Sequence, residues 1–113
     1  MAFTDSEAQR FQTEIQNFIE TIRPPELMRE KLDYLCHIKD QSIVIVSSRA
    51  PWRSGSTERI ETPLVKMTYV RTQKLWRIFW MRATLKWETY AEVDTLNEGF
   101  EIVRMDEHSC FFG

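Results

Sequence analysis

The stretch LVKMTYVRTQKLWRIFWMRATLKWETY, Leu64 to Tyr90, decides how the rest of the chain is read. It holds three of the four tryptophans, Trp76, Trp80 and Trp87, interleaved with lysines and arginines. β-Branched and aromatic residues dominate it and polar residues recur at alternate positions, which predicts two long strands and a shorter third. With Gln73 and Lys74 at the tip of an even-numbered loop, the side chains sort into two faces. One carries Val65, Met67, Tyr69 and Arg71 opposite Trp76, Ile78, Trp80 and Arg82, and it is the better core. The other carries Leu64, Lys66, Thr68 and Val70 opposite Leu75, Arg77, Phe79 and Met81, a mixture of cations and apolar groups suited to a binding surface. The third strand, Leu85 to Tyr90, sets Leu85 and Trp87 on one side and Lys86 and Glu88 on the other. This sorting makes Trp76, Trp80 and Trp87 core residues and leaves Lys66, Arg77, Phe79 and Met81 as candidate binding residues.

Upstream, Leu32 to Lys39 and Ser42 to Arg49 read as strands of a hairpin turning at Asp40 and Gln41. The unbroken apolar run Ile43 to Val46 suits a strand that is central or covered on both faces. Ala50 to Glu61 is the one long irregular segment, with Pro51 and Gly55. In it Trp52, flanked by Arg49 and Arg53, either stacks on a ligand ring or folds back to close one end of the sheet. At the N-terminus, Thr4 and Glu7 form a capping box, so a helix begins near Asp5. Phe11, Ile15, Phe18 and Ile22 then make an apolar stripe opposite an acidic, glutamine-rich face. Pro24 ends this helix, and Glu26 to Lys31 adds a short turn. Downstream, Asp94 or Thr95 caps a second helix with Leu96, Phe100 and Val103 on its packing side. Gly99 within it costs roughly 1 kcal/mol relative to alanine, which predicts a close approach to a large ring such as Trp80. The terminal phenylalanines Phe111 and Phe112 predict a docked tail.

These elements give an α+β fold: a mostly antiparallel sheet of about five strands flanked by an N-terminal and a C-terminal helix, in a single domain over residues 1–113. A 42% hydrophobic share and fourteen aromatic residues exclude disorder. No apolar run is long enough to cross a bilayer, and no basic-then-apolar leader opens the chain, so a cytoplasmic protein with reduced cysteines and no membrane association is expected. The net charge of -2 hides a separation. Residues 1–48 carry five Lys and Arg against eight Asp and Glu, residues 49–87 nine against two, and residues 88–113 one against seven. Either a cationic sheet is offered to an anionic partner, or acidic ends fold back over a basic middle.

The segments RPPELMREKLD (Arg23 to Asp33), PWR (Pro51 to Arg53), TYVRTQKLWRIFWMRATLKWETY (Thr68 to Tyr90) and DEHSCFFG (Asp106 to Gly113) together resemble the small bacterial proteins grouped as domain of unknown function 3024. The tryptophan-rich block with the FFG ending is specific, and the resemblance covers almost everything after the first helix. It implies a compact bacterial domain and brings no reaction, cofactor or partner with it. Thr84, Glu88 and Ser109 stand where the family pattern carries Asp, His and Gly, so no role passes to this chain through an acid at 84 or an imidazole at 88.

Catalytic and metal chemistry have little to rest on. Cys36 and His37 are adjacent on a strand and point to opposite faces, so they do not share a metal. His108 and Cys110 are compatible with zinc, or with a thiol and its base, but lack paired CxxC spacing and a nucleophile elbow. No phosphate loop, dinucleotide fingerprint or HExxH occurs, and no cofactor is expected. The expected function is a non-catalytic protein-interaction module or homodimer. The alternative is nucleic-acid or polyanion binding through the basic, aromatic central sheet, with Trp52 and Arg53 extending the surface of Lys66, Arg77, Phe79 and Met81.

Overall fold

The computed structural model describes residues 3–51, 58–106 and 111. Helix α1 spans Asp5–Ile22, a 3-10 turn spans Glu26–Met28, and strands β1 (Leu32–Lys39), β2 (Ser42–Arg49), β3 (Ile60–Val70), β4 (Leu75–Met81) and β5 (Trp87–Val93) precede helix α2 (Leu96–Met105). The strands form one antiparallel meander in the order β1-β2-β3-β4-β5. Fold class α+β, with one helix before and one after the five-stranded sheet, is therefore as the sequence predicts.

Local chemistry explains where the elements start and stop. Thr4 Oγ1 accepts the Glu7 N–H at 3.2 Å while Glu7 Oε1 accepts the Thr4 N–H at 2.9 Å, which completes the capping box of α1. Arg23, forced extended ahead of Pro24, ends the helix. Thr95 caps α2 by accepting the Glu98 N–H at 3.2 Å. Asp106 closes α2 in the left-handed region, at φ 44°, and its Oδ1 accepts the Phe111 N–H at 3.0 Å. That bond helps seat Phe111, which is buried with its ring 4.9 Å from that of Tyr90. The tail thus docks at Phe111; Phe112 lies outside the described residues.

Both helices lie on one face of the sheet. Beneath them Ile43, Ile45, Val65, Met67 and Ile78 are fully buried, and each contributes roughly 1.5–3 kcal/mol by leaving water. Phe11 of α1 meets Trp76 edge to face at 5.0 Å, and Phe18 of α1 stacks on Phe100 of α2 at 4.4 Å. The expected sorting into two faces holds, with Val65 paired to Trp80, Met67 to Ile78 and Tyr69 to Trp76. The turn is centred between Thr72 and Gln73 and not on Gln73 and Lys74, so each partner stands two residues from where that tip would put it, on the same face.

Four expectations need correction. First, β3 begins at Ile60, not Leu64, because the chain re-enters the sheet before the bulge that sets Leu64 aside between Val65 and Pro63. Pro63 is tolerated at that irregularity, where it has no ladder bond to donate. Second, the last strand is Trp87–Val93 and not Leu85 to Tyr90. Arg82 to Lys86 form a turn in which Leu85 adopts φ 63° and donates to the Arg82 carbonyl at 2.8 Å. Third, Trp87 is not core. Ile78 pairs with Ala91 but Phe79 pairs with Thr89, so Tyr90 is a bulge residue and every side chain before it changes face. Tyr90 and Ala91 both pack on the core, while Trp87 is carried to the far face beside Met81. Fourth, Gly99 lies against Met67 and Ile78, not Trp80: an added Cβ would stand 3.0 Å from Met67 Sδ and 3.5 Å from Ile78 Cδ1.

Ion pairs tie the two ends of the layers together. The Arg71 guanidinium, on the β3–β4 turn, donates to Glu7 Oε1 at 2.7 Å and Oε2 at 3.2 Å, joining that turn to the start of α1. This bidentate contact, with the Thr4 N–H bond, holds the Glu7 carboxyl down at about 2, well below its ordinary 4.5. A carboxyl depressed in the fold stabilises it above the unfolded-state value, and the stabilisation fades as pH falls through the folded value. Urea unfolding of the wild type is therefore expected to weaken between about pH 4.5 and 2, and Glu7→Gln is expected to flatten that part of the profile. Unchanged acid dependence in the variant would show that the pair contributes nothing. At the other end, Asp33 accepts from Arg23 at 2.9 and 2.7 Å, which likewise lowers its pKa.

The open face of the sheet as candidate functional site

No described helix covers the face of the sheet opposite α1 and α2, although at one end Arg59 closes over Ser48, and Val46 and Ser48 are buried there. One row crosses all five strands on it: His37, Val44, Lys66, Phe79 and Thr89. The next row, toward the β3–β4 turn, is Lys39, Ser42, Thr68, Arg77 and Glu92. Strand alternation places Val70 and Leu75 beyond it and Met81 at the opposite end, where the bulge at Tyr90 brings Trp87 beside it. The apolar members, Val44, Phe79, Met81 and Trp87, are half-buried by one another and by the stems of neighbouring polar residues.

At the centre is Lys66, on the middle strand of the five. Its ammonium lies 4.6 Å from the centroid of Phe79 and 5.3 Å from that of Trp87, so one cation rests on two rings. Among the described residues it has no carboxylate partner. Both neighbouring arginines are engaged, whereas Lys39 makes no ion pair among the described residues. Arg77 Nε donates to Glu92 Oε2 at 2.7 Å, and Arg82 Nε lies 3.5 Å from Glu88. His37 Nε2 lies 2.9 Å from Glu61 Oε1, and Ser42 and Thr68 share a hydroxyl bond at 2.8 Å.

These contacts settle how the charge blocks are used. Acidic residues from both ends of the chain return over the basic middle: Glu7 to Arg71, Glu88 to Arg82, Glu92 to Arg77. Arg59 is held by neutral oxygens, those of Ser48, Glu30 and Arg29. Among the described residues of the basic segment, Arg49, Lys66, Lys74 and Lys86 make no ion pair, and Lys66 is the one of them that rests on the half-buried rings of Phe79 and Trp87.

Of the residues singled out from sequence, Lys66, Arg77, Phe79 and Met81 do share this face. Trp52, Arg53, His108 and Cys110 lie outside the described residues. The sequence reading missed Trp87, because only the bulge at Tyr90 brings it here. It also missed His37, for which alternation along β1 was an available signal, and Val44, which the unbroken apolar run of β2 does not distinguish from its core neighbours.

No catalytic arrangement accompanies the face among the described residues. Cys36 and His37 point to opposite sides of β1 as expected, and Cys36 packs toward the core, where burial pushes its thiol up to about 12. It is not a thiolate at neutral pH. Among the described residues no three His, Cys, Asp or Glu side chains converge to hold a metal ion. No helix among them is long and apolar enough to cross a membrane.

Comparison with curated proteins and with solved structures finds no match to either. A family model does match, and it takes in all of the sheet and both helices just described. Over residues 3–113 the chain belongs to the family described as Domain of unknown function (DUF3024).

Proposed function

We propose that the protein is a non-catalytic interaction module of the bacterial cytoplasm that holds an acidic segment of a partner protein on the open face of its sheet. The observation that carries this reading is Lys66: an ammonium at the centre of a sheet face that no described helix covers, resting on two rings and lacking a carboxylate among the described residues. A carboxylate arriving there would meet a cation whose desolvation the rings already offset. Apolar neighbours of that carboxylate would find Val44, Phe79, Met81 and Trp87.

Two other occupants fit less well. Stacking two copies face to face about a central two-fold would set Lys66 against Lys66, a like-charge contact in a drying interface. Nucleic acid needs phosphate contacts and free ring faces. Arg77 and Arg82 are held by glutamates, and Lys66 itself covers the rings.

Selection of a random dodecapeptide display library against the immobilised protein tests the proposal. The expected result is enrichment of sequences with Asp or Glu between apolar residues, with binding lost in Lys66→Glu and weakened at least about tenfold in Phe79→Ala, the loss of one or two ring contacts. Peptides that bind Lys66→Glu equally well would sink it. So would anisotropy titrations in which labelled single-stranded oligonucleotides bind at moderate salt while no peptide does.

A further inference from the structure

The two edges of the sheet are not alike. At one edge, β5 is interrupted by the bulge at Tyr90 and carries Glu88 and Glu92, devices that discourage another strand from pairing. At the other edge, β1 runs eight residues without bulge or proline, in unbroken register with β2 from Leu32↔Arg49 to Lys39↔Ser42. The two-residue turn at Asp40 and Gln41 makes Lys39 and Ser42 a hydrogen-bonded pair, so the odd-numbered residues of β1 bond to β2. The even-numbered ones turn their amides and carbonyls outward. Two local bonds agree: the Asp40 carbonyl accepts the Phe3 N–H at 3.2 Å, and Asp33 Oδ1 accepts the Tyr34 N–H at 2.8 Å. Among the described residues the outer edge is thus closed near both ends and open between them, at the amides of Cys36 and Ile38. Alongside the open part, a groove of about 300 Å³ runs between β1 and α1, lined by Gln12, Ile15, Ile19, Tyr34 and Cys36 among others. Leu35, on the outer side of the same strand, is 38% exposed.

We infer that β1 is the dimerisation edge of this protein: two copies pair their β1 strands antiparallel about a two-fold axis and continue one sheet through both. An edge with unpaired main-chain groups is matched by another extended strand, and the side-chain pattern of β1 is complementary to itself. Outward-facing residues must meet outward-facing residues, which restricts the register to even-numbered sums. With Cys36 at the axis, Asp33 of each copy stands opposite Lys39 of the other, Tyr34 opposite Ile38 and Leu35 opposite His37. Sliding the strands so that Leu35 lies on the axis would instead oppose Lys31 and Lys39, two cations. In the favoured register the Cys36 amides of the two copies exchange a pair of bonds, and the Ile38 amides lie within the paired stretch. Lys39, which makes no ion pair among the described residues, gains a carboxylate, and the groove receives side chains from the other copy's β1. This edge is independent of the open face, so the module would bind its partners as a symmetric pair.

Light scattering of the full chain over a concentration series, combined with amide hydrogen exchange, tests this. The expected result is a dimer at high micromolar concentration, with Cys36 and Ile38 amides protected there and exchanging on dilution. Lys39→Glu, which sets two carboxylates opposite each other, is expected to raise the dissociation constant about tenfold or more while leaving the far-ultraviolet spectrum unchanged. Phe79→Ala and Lys66→Glu are expected to leave the dimer intact, which separates this inference from the open-face reading. A chain that stays monomeric at high concentration overturns it. So does a dimer whose Cys36 and Ile38 amides exchange freely, or one that Lys66→Glu disrupts and Lys39→Glu does not.

Discussion

Replacing Trp76 with alanine is expected to cost about 3–5 kcal/mol of stability, while the same change at Trp87 is expected to cost no more than about 1 kcal/mol. The two tryptophans lie in the same aromatic block, and composition does not tell them apart. Trp76 is 3% exposed and touches Phe3, Phe11 and Tyr69, with ring centroids 5.9, 5.0 and 5.2 Å away. Its removal leaves a cavity where α1 is seated on β4. Trp87 lies on the open face, where it supports Lys66 at 5.3 Å and is already partly in water. Urea titration monitored by far-ultraviolet circular dichroism measures both. Equal losses would mean that Trp87 is also core and that Tyr90 is not a bulge. A small loss at Trp76 would mean that α1 does not depend on that ring for its seat.

At Gly99 the expected effect depends on side-chain size. Gly99→Leu is expected to destabilise the protein by about 1–3 kcal/mol, because the added atoms enter a filled core. The first of them would already stand 3.0 Å from Met67 Sδ, and Met67 and Ile78 are fully buried with no outward path. Gly99→Ala is a finer test. Alanine gains about 1 kcal/mol of helix propensity, and the tight contact with the sulfur works against it, so the variant is expected to stay within about 1 kcal/mol of the wild type. Thermal unfolding of the pair checks the argument. If leucine were tolerated as well as alanine, α2 would not lie close against β3 and β4.

Much of this fold is legible in the chain because it is written in local chemistry. The capping box at Thr4 and Glu7, the stop at Pro24, the two-residue turn at Asp40 and Gln41, and the cap at Thr95 each involve residues a few positions apart. Their consequences therefore do not depend on the rest of the molecule. The sorting of the central hairpin's side chains follows from the same kind of information, since any even loop combined with alternating hydrophobicity puts the same residues on each face. For that reason alternation along the chain is enough to assign Lys66, Arg77, Phe79 and Met81 to one face.

Tertiary structure alone decided the rest. Tyr90 is a bulge because it and Ala91 both find places in the core, beside Phe111 and under α2, and that preference is invisible until α2 and the tail are in position. A one-residue slip there moved Trp87 from the expected core to the candidate site. The meaning of the charge blocks was settled in the same way, since Glu7 and Arg71 lie 64 residues apart and only the folded chain brings them within 2.7 Å. Leu64 to Tyr90 by itself determined two strands and which of their side chains travel together. Which face the helices would cover, and which would be left open with Lys66 at its centre, depended on contacts between distant parts of the chain, and periodicity does not encode them.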